Sequence, residues 1–325
     1  MSKKMRMVSM APMMDCTDRH DRFFLRLISK NIFLYSEMIA TGAILNGDKK
    51  KILEFSEFEK PVALQLGGSN LNELSKCCKI VEDFGYDEIN LNLGCPSKKV
   101  QKNKFGACLI KEPDLVADCL SKMINSTSLP VTAKTRIGFD DVENFEYLNA
   151  FIEKIKKTGV KTIILHARKA ILKGLSPKQN REIPPLNYER VRKLKDDFPD
   201  LEIIINGGIK KLSFLQDNDL QNLDGIMIGR EAYSNPLIFK DVDKKIKGEL
   251  NRDISIYEIT QKMFDYFETL ENESHIKRGL IHMHGLFSGH SEAKKIRVLL
   301  SNSVYLKKSK NEILSILEKN IIEAA

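Results

Sequence analysis

The sequence predicts a (β/α)8 TIM barrel with a C-terminal all-helical domain, and three observations carry that prediction. Eight short apolar runs have strand character, segments with helical spacing lie between most of them, and strand-like runs cease after about residue 240. Eight strand–helix units within residues 1–243 match the usual size of such a barrel, roughly 250 residues. A doubly wound parallel sheet is the rival, but it would use fewer strands, and no G-x-G-x-x-G follows the first run. The barrel is expected to occupy 1–243 and the helical domain 244–325, with a charged linker from Asp241 to Asp253 between them.

The elements follow in order. Residues 7–13 (Met-Val-Ser-Met-Ala-Pro-Met) form the first run, ended by Pro12, and Asp15-Cys-Thr-Asp18 offers an N-cap for a helix through Phe23, Phe24, Leu27 and Ile28. Later runs are Ile32–Met38, Pro61–Leu66, Glu88–Leu93, Pro130–Arg136, Lys161–His166, Glu202–Asn206 and Gly225–Ile228. Leu71, Leu74, Cys78 and Val81 share one helical face, as do Phe145, Leu148, Ile152 and Ile155. Beyond the eighth run, Ile254–Leu270, His275–Phe287, Glu292–Leu300 and Asn311–Ile322 all have helical spacing.

Composition bounds the function. The chain has 325 residues, 42% of them hydrophobic, enough for one large domain and a smaller one. No apolar stretch is long enough to span a membrane and no signal-peptide core follows Met1, so a cytoplasmic protein is expected. The six cysteines show no CxxC or Cys/His ligand spacing, so they are expected to be reduced thiols. His282 and His284, two apart on an expected helix, point to different faces, and no metal site is assigned. A net charge of +8 suits a polyanionic partner, although it also serves solubility.

In a parallel barrel the chemistry sits at the carboxyl ends of the strands. Those ends read Pro12-Met13-Met14, Glu37, Gln65, Asn92 with Cys95, Lys134 with Arg136, His166 with Arg168, Asn206-Gly-Gly208 and Gly229-Arg230. Cys95 lies between Gly94 and Pro96 just past the alternating run Ile89-Asn-Leu-Asn-Leu93, so the backbone aims its side chain. Gly207, Gly208 and Gly229 follow the seventh and eighth runs, the usual phosphate cradle of this fold, with Arg230 as a clamp. Lys134 and His166 end apolar runs and could flank a flavin ring, stabilising the negative charge that builds on its N1/O2 edge on reduction. Between Lys169 and Pro185 the connection is unusually long, which marks Lys178 and Arg181 as candidate substrate-reading residues.

Taken together, Ala11-Pro-Met-Met-Asp-Cys-Thr-Asp-Arg19, Leu64-Gln-Leu-Gly-Gly68, Ile89-Asn-Leu-Asn-Leu-Gly-Cys-Pro96, Phe105-Gly-Ala107, Lys134-Thr-Arg-Ile-Gly138, Leu165-His-Ala-Arg168, Asn206-Gly-Gly208 and Asp224-Gly-Ile-Met-Ile-Gly-Arg230 resemble the flavin-dependent tRNA-dihydrouridine synthases. His166-Ala-Arg-Lys-Ala170 and the stretch from Gly174 to Pro185 are similar to the A subfamily, which acts on D-loop uridines 20 and 20a in tRNA numbering. The resemblance implies that NADPH reduces bound FMN, that reduced FMN passes a hydride to C6 of an extruded uridine, and that Cys95 protonates C5 from the other face. It further implies FMN contacts from Pro12, Met13, Met14, Gln65, Lys134, His166, Asn206, Gly207, Gly208, Gly229 and Arg230, and a substrate contact from Asn92. In that family the C-terminal helices grip tRNA. Arg278, Lys294, Lys295, Arg297, Lys307, Lys308 and Lys310 are the candidate phosphate contacts here, and Arg297 is the one carried over. A monomer is expected. Two alternatives stay open from the residues alone: a flavin barrel acting on a free small molecule, and an RNA-binding protein without catalysis.

Overall fold

Strands β1 (Val8–Met10), β2 (Leu34–Ala40), β3 (Val62–Gly67), β4 (Glu88–Asn92), β5 (Val131–Arg136), β6 (Thr162–His166), β7 (Glu202–Asn206) and β8 (Gly225–Ile228) pair in parallel, in the order β1-β8-β7-β6-β5-β4-β3-β2. A bridge between Ser9 and Phe33, with Met10 N donating to Phe33 O at 2.9 Å, brings β1 beside the start of β2 and closes the ring. This computed structural model describes residues 7–216, 222–247, 254–301 and 308–322. All eight expected runs are strands, and their observed ends lie within a few residues of the expected ones.

Both faces of the strands are buried; β6, β7 and β8 read as continuous apolar runs, while β4 and β5 alternate apolar with polar residues. In β7, Ile203 and Ile205 join the outer core beneath the helices, whereas Ile204 joins an inner cluster with Phe33, Tyr35, Ala63, Ile164 and Met227. That inner cluster fills the barrel, so the interior is a packed plug and not a pore. Polar side chains cap the helices that separate the strands: Asp18 accepts from His20 N and Asp21 N before the helix Arg19–Ile28, and Asn70 and Asn144 do the same for Leu71–Asp83 and Phe145–Lys157.

After β8 every described element is helical. Ile256–Glu268 begins with a capping box of Ser255 and Glu258; Glu273–His282, Ala293–Leu299 and Lys310–Ile322 follow. The stretch His275–Phe287, expected as one helix, divides into the α-helix ending at His282 and a 3-10 turn over Met283–Phe287. Gly285 in that turn runs against the backbone of Tyr233 and Ser234, an approach that leaves no room for a side chain. The expected boundary at 243/244 falls inside the helix Val242–Lys247, and 248–253 lie outside the described residues.

These helices dock on the first barrel helix. Tyr266 stacks on Phe23 with ring centroids 4.0 Å apart and bonds His20 Nδ1 through its hydroxyl at 2.8 Å. Arg278 Nε and His282 Nε2 lie 3.0 and 3.1 Å from the carboxylate of Asp18. Among the described residues no helix is long and apolar enough to cross a membrane.

Candidate active site

At the carboxyl ends of the strands the barrel opens into a cavity of about 2100 Å³. Ordinary small-molecule pockets run to about 1,000 Å³, so this one has room for two ring systems and part of a polymer. Of the sequence-predicted site residues, Cys95, Asn92, Pro12, Met13, Met14, Gln65, Lys134, His166, Asn206, Gly207, Gly208, Gly229, Arg230 and Arg181 line it. Lys178 and Arg297 do not; both are exposed, Lys178 ahead of the 3-10 turn Gln179–Arg181 and Arg297 with Nε on the His284 carbonyl at 3.2 Å.

Cys95 is half-buried in the wall, and its turn is held from several sides. Asn92 Oδ1 accepts the backbone N–H groups of Gly94 and Cys95 at 3.1 and 3.0 Å, so the end of β4 folds directly into the cysteine turn. The Cys95 carbonyl accepts from Ala107 N at 2.9 Å, and a Cβ on Gly106 would collide with that carbonyl. This is a physical reason for glycine in Phe105-Gly-Ala107, the more so because Gly106 has φ +76°. Arg136 Nε donates to the Gly94 carbonyl at 2.9 Å, while its Nη1 donates to the carbonyls of Lys169 and Asn180 at 3.0 and 3.1 Å. One buried guanidinium thus ties the cysteine turn to the long loop after β6.

Across the cavity, Lys134 Nζ donates to Asn206 Oδ1 at 2.9 Å, and Asn206 Nδ2 in turn donates to the Met227 carbonyl at 2.7 Å. Burial, and then the charge of Arg136, lowers the Lys134 pKa to about 7. His166 is pushed well below its ordinary pKa, first by burial and then by Arg136 and Lys134, so its imidazole is neutral, and its buried Nδ1 has no hydrogen-bond partner. Gly207 and Gly208 have φ of +110° and +70°, and a Cβ on Gly207 would press on the His166 ring at 3.3 Å. An amine that holds its charge poorly, a neutral imidazole and bare backbone share one wall of the cavity, a setting that an anionic group would complete. On these grounds the wall fits a flavin phosphate and ring edge. Met14, 55% exposed at the rim, adds apolar surface to the same face.

The Arg230 clamp is already engaged. Its Nη1 pairs with Glu182 at 2.7 Å and its Nη2 donates to the Arg181 carbonyl at 3.1 Å, so it anchors the loop after β6 to the start of the helix Arg230–Ser234. Sequence patterning missed Glu182. It also missed Asn180, fully buried within that loop, where its side chain bonds both backbone groups of Ile171, and Gln101, which joins the carbonyls of Pro96 and Leu172. The helical region reaches the rim through Ser274, His275 and Arg278, and Arg278 is ion-paired with Asp18 and Asp15. Of the other basic candidates, Lys295 pairs with Glu292, Lys310 with Asp265 and Glu268, and Lys294 and Lys308 are exposed; Lys307 lies outside the described residues. Among the described residues no group of three or more His, Cys, Asp or Glu could hold a metal ion.

Residues 9–323 match the family model described as Dihydrouridine synthase (Dus). The chain belongs to the dihydrouridine synthase family. Its curated relatives include tRNA-dihydrouridine(20/20a) synthases from Shigella flexneri, 50% identical over 299 residues (91% of this chain, 88% of the relative), and Shewanella oneidensis, 46% identical over 317 residues (97% and 94%). The enzyme of the same name from Synechocystis is 48% identical over 308 residues (94% and 92%). For this dihydrouridine synthase family member, the resemblance carried by the strand-end motifs therefore extends over nearly the whole chain, helical region included.

Proposed function

We propose that the protein is a tRNA-dihydrouridine(20/20a) synthase that reduces the C5–C6 double bond of D-loop uridines 20 and 20a, with FMN as cofactor and NADPH as reductant. The observation that carries this is a single cavity in which the thiol of Cys95 shares space with the Lys134–Asn206 pair and the neutral His166. The names of the relatives supply the substrate class.

In this reading Lys134, His166, Asn206 and the glycines Gly207, Gly208 and Gly229 hold FMN, with Pro12, Met13, Met14, Gln65 and Arg230 completing its site. Bound and reduced, FMN supplies the hydride for C6 of the uracil. The residues of the chain do the rest. Cys95 Sγ holds the proton that passes to C5 from the opposite face. Asn92 orients the cysteine turn and contacts the substrate nucleotide. Lys134 becomes fully charged beside the flavin edge, where negative charge accumulates on reduction.

A base stacked in folded RNA cannot reach the thiol, so the uridine must be extruded into the barrel mouth, with basic side chains holding the flanking phosphates. Lys178, Arg181 and Arg297 serve that purpose, and 244–325 act as the tRNA-binding domain of a cytoplasmic monomer. The test is turnover with FMN-loaded protein, NADPH and unmodified tRNA, with dihydrouridine mapped by position. Product at 20 and 20a, absent with free uridine, is expected. NADPH oxidation that tRNA does not stimulate would instead indicate a flavin enzyme for free small molecules and overturn the proposal.

A further inference from the structure

Below the cavity floor a line of buried polar side chains crosses four adjacent strands, and the chemistry proposed above uses only its upper end. Glu88, Asn90 and Asn92 alternate along one face of β4, and Asn90 lies in register with Gln65 of β3 and Thr132 of β5. At the bottom, the hydroxyls of Tyr35 and Thr132 both donate to Glu88 Oε1, at 2.9 and 2.5 Å. The Thr132 oxygen accepts from Asn90 Nδ2, Asn90 Oδ1 accepts from Gln65 Nε2, and Gln65 Oε1 accepts from Asn92 Nδ2, each at 2.8 Å. Asn92 Oδ1, at the top, accepts the N–H groups of Gly94 and Cys95.

Both ends dictate the same direction. Backbone N–H groups can only donate, so Asn92 must present its oxygen to the cysteine turn and its amide nitrogen to Gln65. At the other end Thr132 has committed its one hydrogen to Glu88, so it can only accept from Asn90. The three carboxamides between have one orientation that satisfies both ends, and flipping any of them sets nitrogen against nitrogen or oxygen against oxygen. Glu88 and Asn90 are 0% exposed and Gln65, Tyr35 and Thr132 only 1%, so bulk water cannot stand in for a lost partner.

We propose that Glu88, Thr132 and Asn90 are positioning residues for Cys95: a one-way hydrogen-bond relay anchored on Glu88 sets the amide orientation of Gln65 and Asn92 and so holds the turn that carries the thiol. The inference rests on the proposed role of Cys95 for its catalytic consequence, but the relay itself exists without flavin or RNA. Thr132→Val keeps the shape and removes the hydroxyl, leaving the Asn90 amide without an acceptor; Thr132→Ser keeps the hydroxyl.

The first measurement is the alkylation rate of Cys95 by iodoacetamide in the flavin-free full chain, read on the Cys95 peptide by mass spectrometry. Thr132→Val should raise it about threefold or more as the turn loosens, and Thr132→Ser should return it to the parent's rate. In the FMN-loaded enzyme, Thr132→Val should lower kcat with tRNA by about tenfold while KM for tRNA stays near the parent's, because a thiol displaced by a fraction of an ångström still faces bound RNA. If Thr132→Val does not accumulate folded, Asn90→Ala removes the middle link without adding bulk and carries the same predictions. Alkylation at the parent's rate in a folded Thr132→Val or Asn90→Ala protein, or equal change in Thr132→Val and Thr132→Ser, overturns the relay. Should the parent prove inactive on tRNA, the proposed function fails while the alkylation series still decides the relay.

Discussion

Lys134 lies near the carboxyl end of β5 with its ammonium 2.9 Å from a neutral amide oxygen and the Arg136 charge nearby, and burial first, then Arg136, brings its pKa from 10.5 to about 7. At about 1.4 kcal/mol per pH unit, keeping the charge there costs the folded chain on the order of 5 kcal/mol. Because the folded pKa lies below the unfolded one, the folded protein binds fewer protons between about pH 7 and 10.5, and the ligand-free protein gains stability as pH rises through that window. The flavin N1/O2 edge seated beside Nζ reverses the balance: as an acceptor it favours the charged amine, so FMN binding above about pH 7 takes up protons and weakens as pH rises, by at most about tenfold per pH unit. Fluorescence titration of flavin-stripped protein from about pH 7 to 9 measures the slope, and calorimetry in buffers of unlike ionisation enthalpy counts the proton. Lys134→Met, which keeps the apolar stem, should bind FMN with no such slope. A flat profile in the parent, or the same slope in Lys134→Met, refutes the assignment of the flavin edge to this amine.

Cys95→Ala should retain FMN and its reduction by NADPH while dihydrouridine formation falls by about a hundredfold or more; undiminished product would refute the acid role. Arg136→Met removes three bonds from a buried guanidinium to the carbonyls of Gly94, Lys169 and Asn180 and should destabilise the protein by about 2–4 kcal/mol in denaturant titrations. The same variant should be cut faster by protease between 169 and 185, and unchanged cleavage would show that the loop is held by other means. His282 is buried, which acts to lower its pKa, but its contact with Asp18 and the charges of Asp21 and Asp18 outweigh burial and raise it. Its contribution is therefore full below about pH 6.5, the unfolded value, and fades as pH rises through the raised folded value. His282→Gln should lower the melting temperature more in mild acid than in mild base, and an equal loss at both would count against the Asp18 pairing.

Local pattern alone marked out the eight strands, through consecutive apolar residues in strands such as β6, β7 and β8 and through alternation in β4. It also marked most of the cavity wall. In a parallel barrel every strand delivers its carboxyl end to one face, so Asn92, Lys134, His166 and Asn206 could be placed there without knowledge of which strands are neighbours. The glycines were legible for the same reason: Gly207 and Gly208 sit where the chain must leave the strand with positive φ.

Pairing was decided only by the tertiary structure. Nothing in the order of residues says that Arg136 reaches Asn180, that Glu182 occupies Arg230, or that Tyr266 meets His20 across 246 positions. The polar line from Glu88 to Cys95 is the clearest case, since its links depend on the register that sets Gln65, Asn90 and Thr132 at one level. A sequence records the environment each side chain prefers, through local periodicity. Hydrogen bonding demands distances near 3 Å between atoms of separate strands, and barrel closure, twist and register together settle those distances.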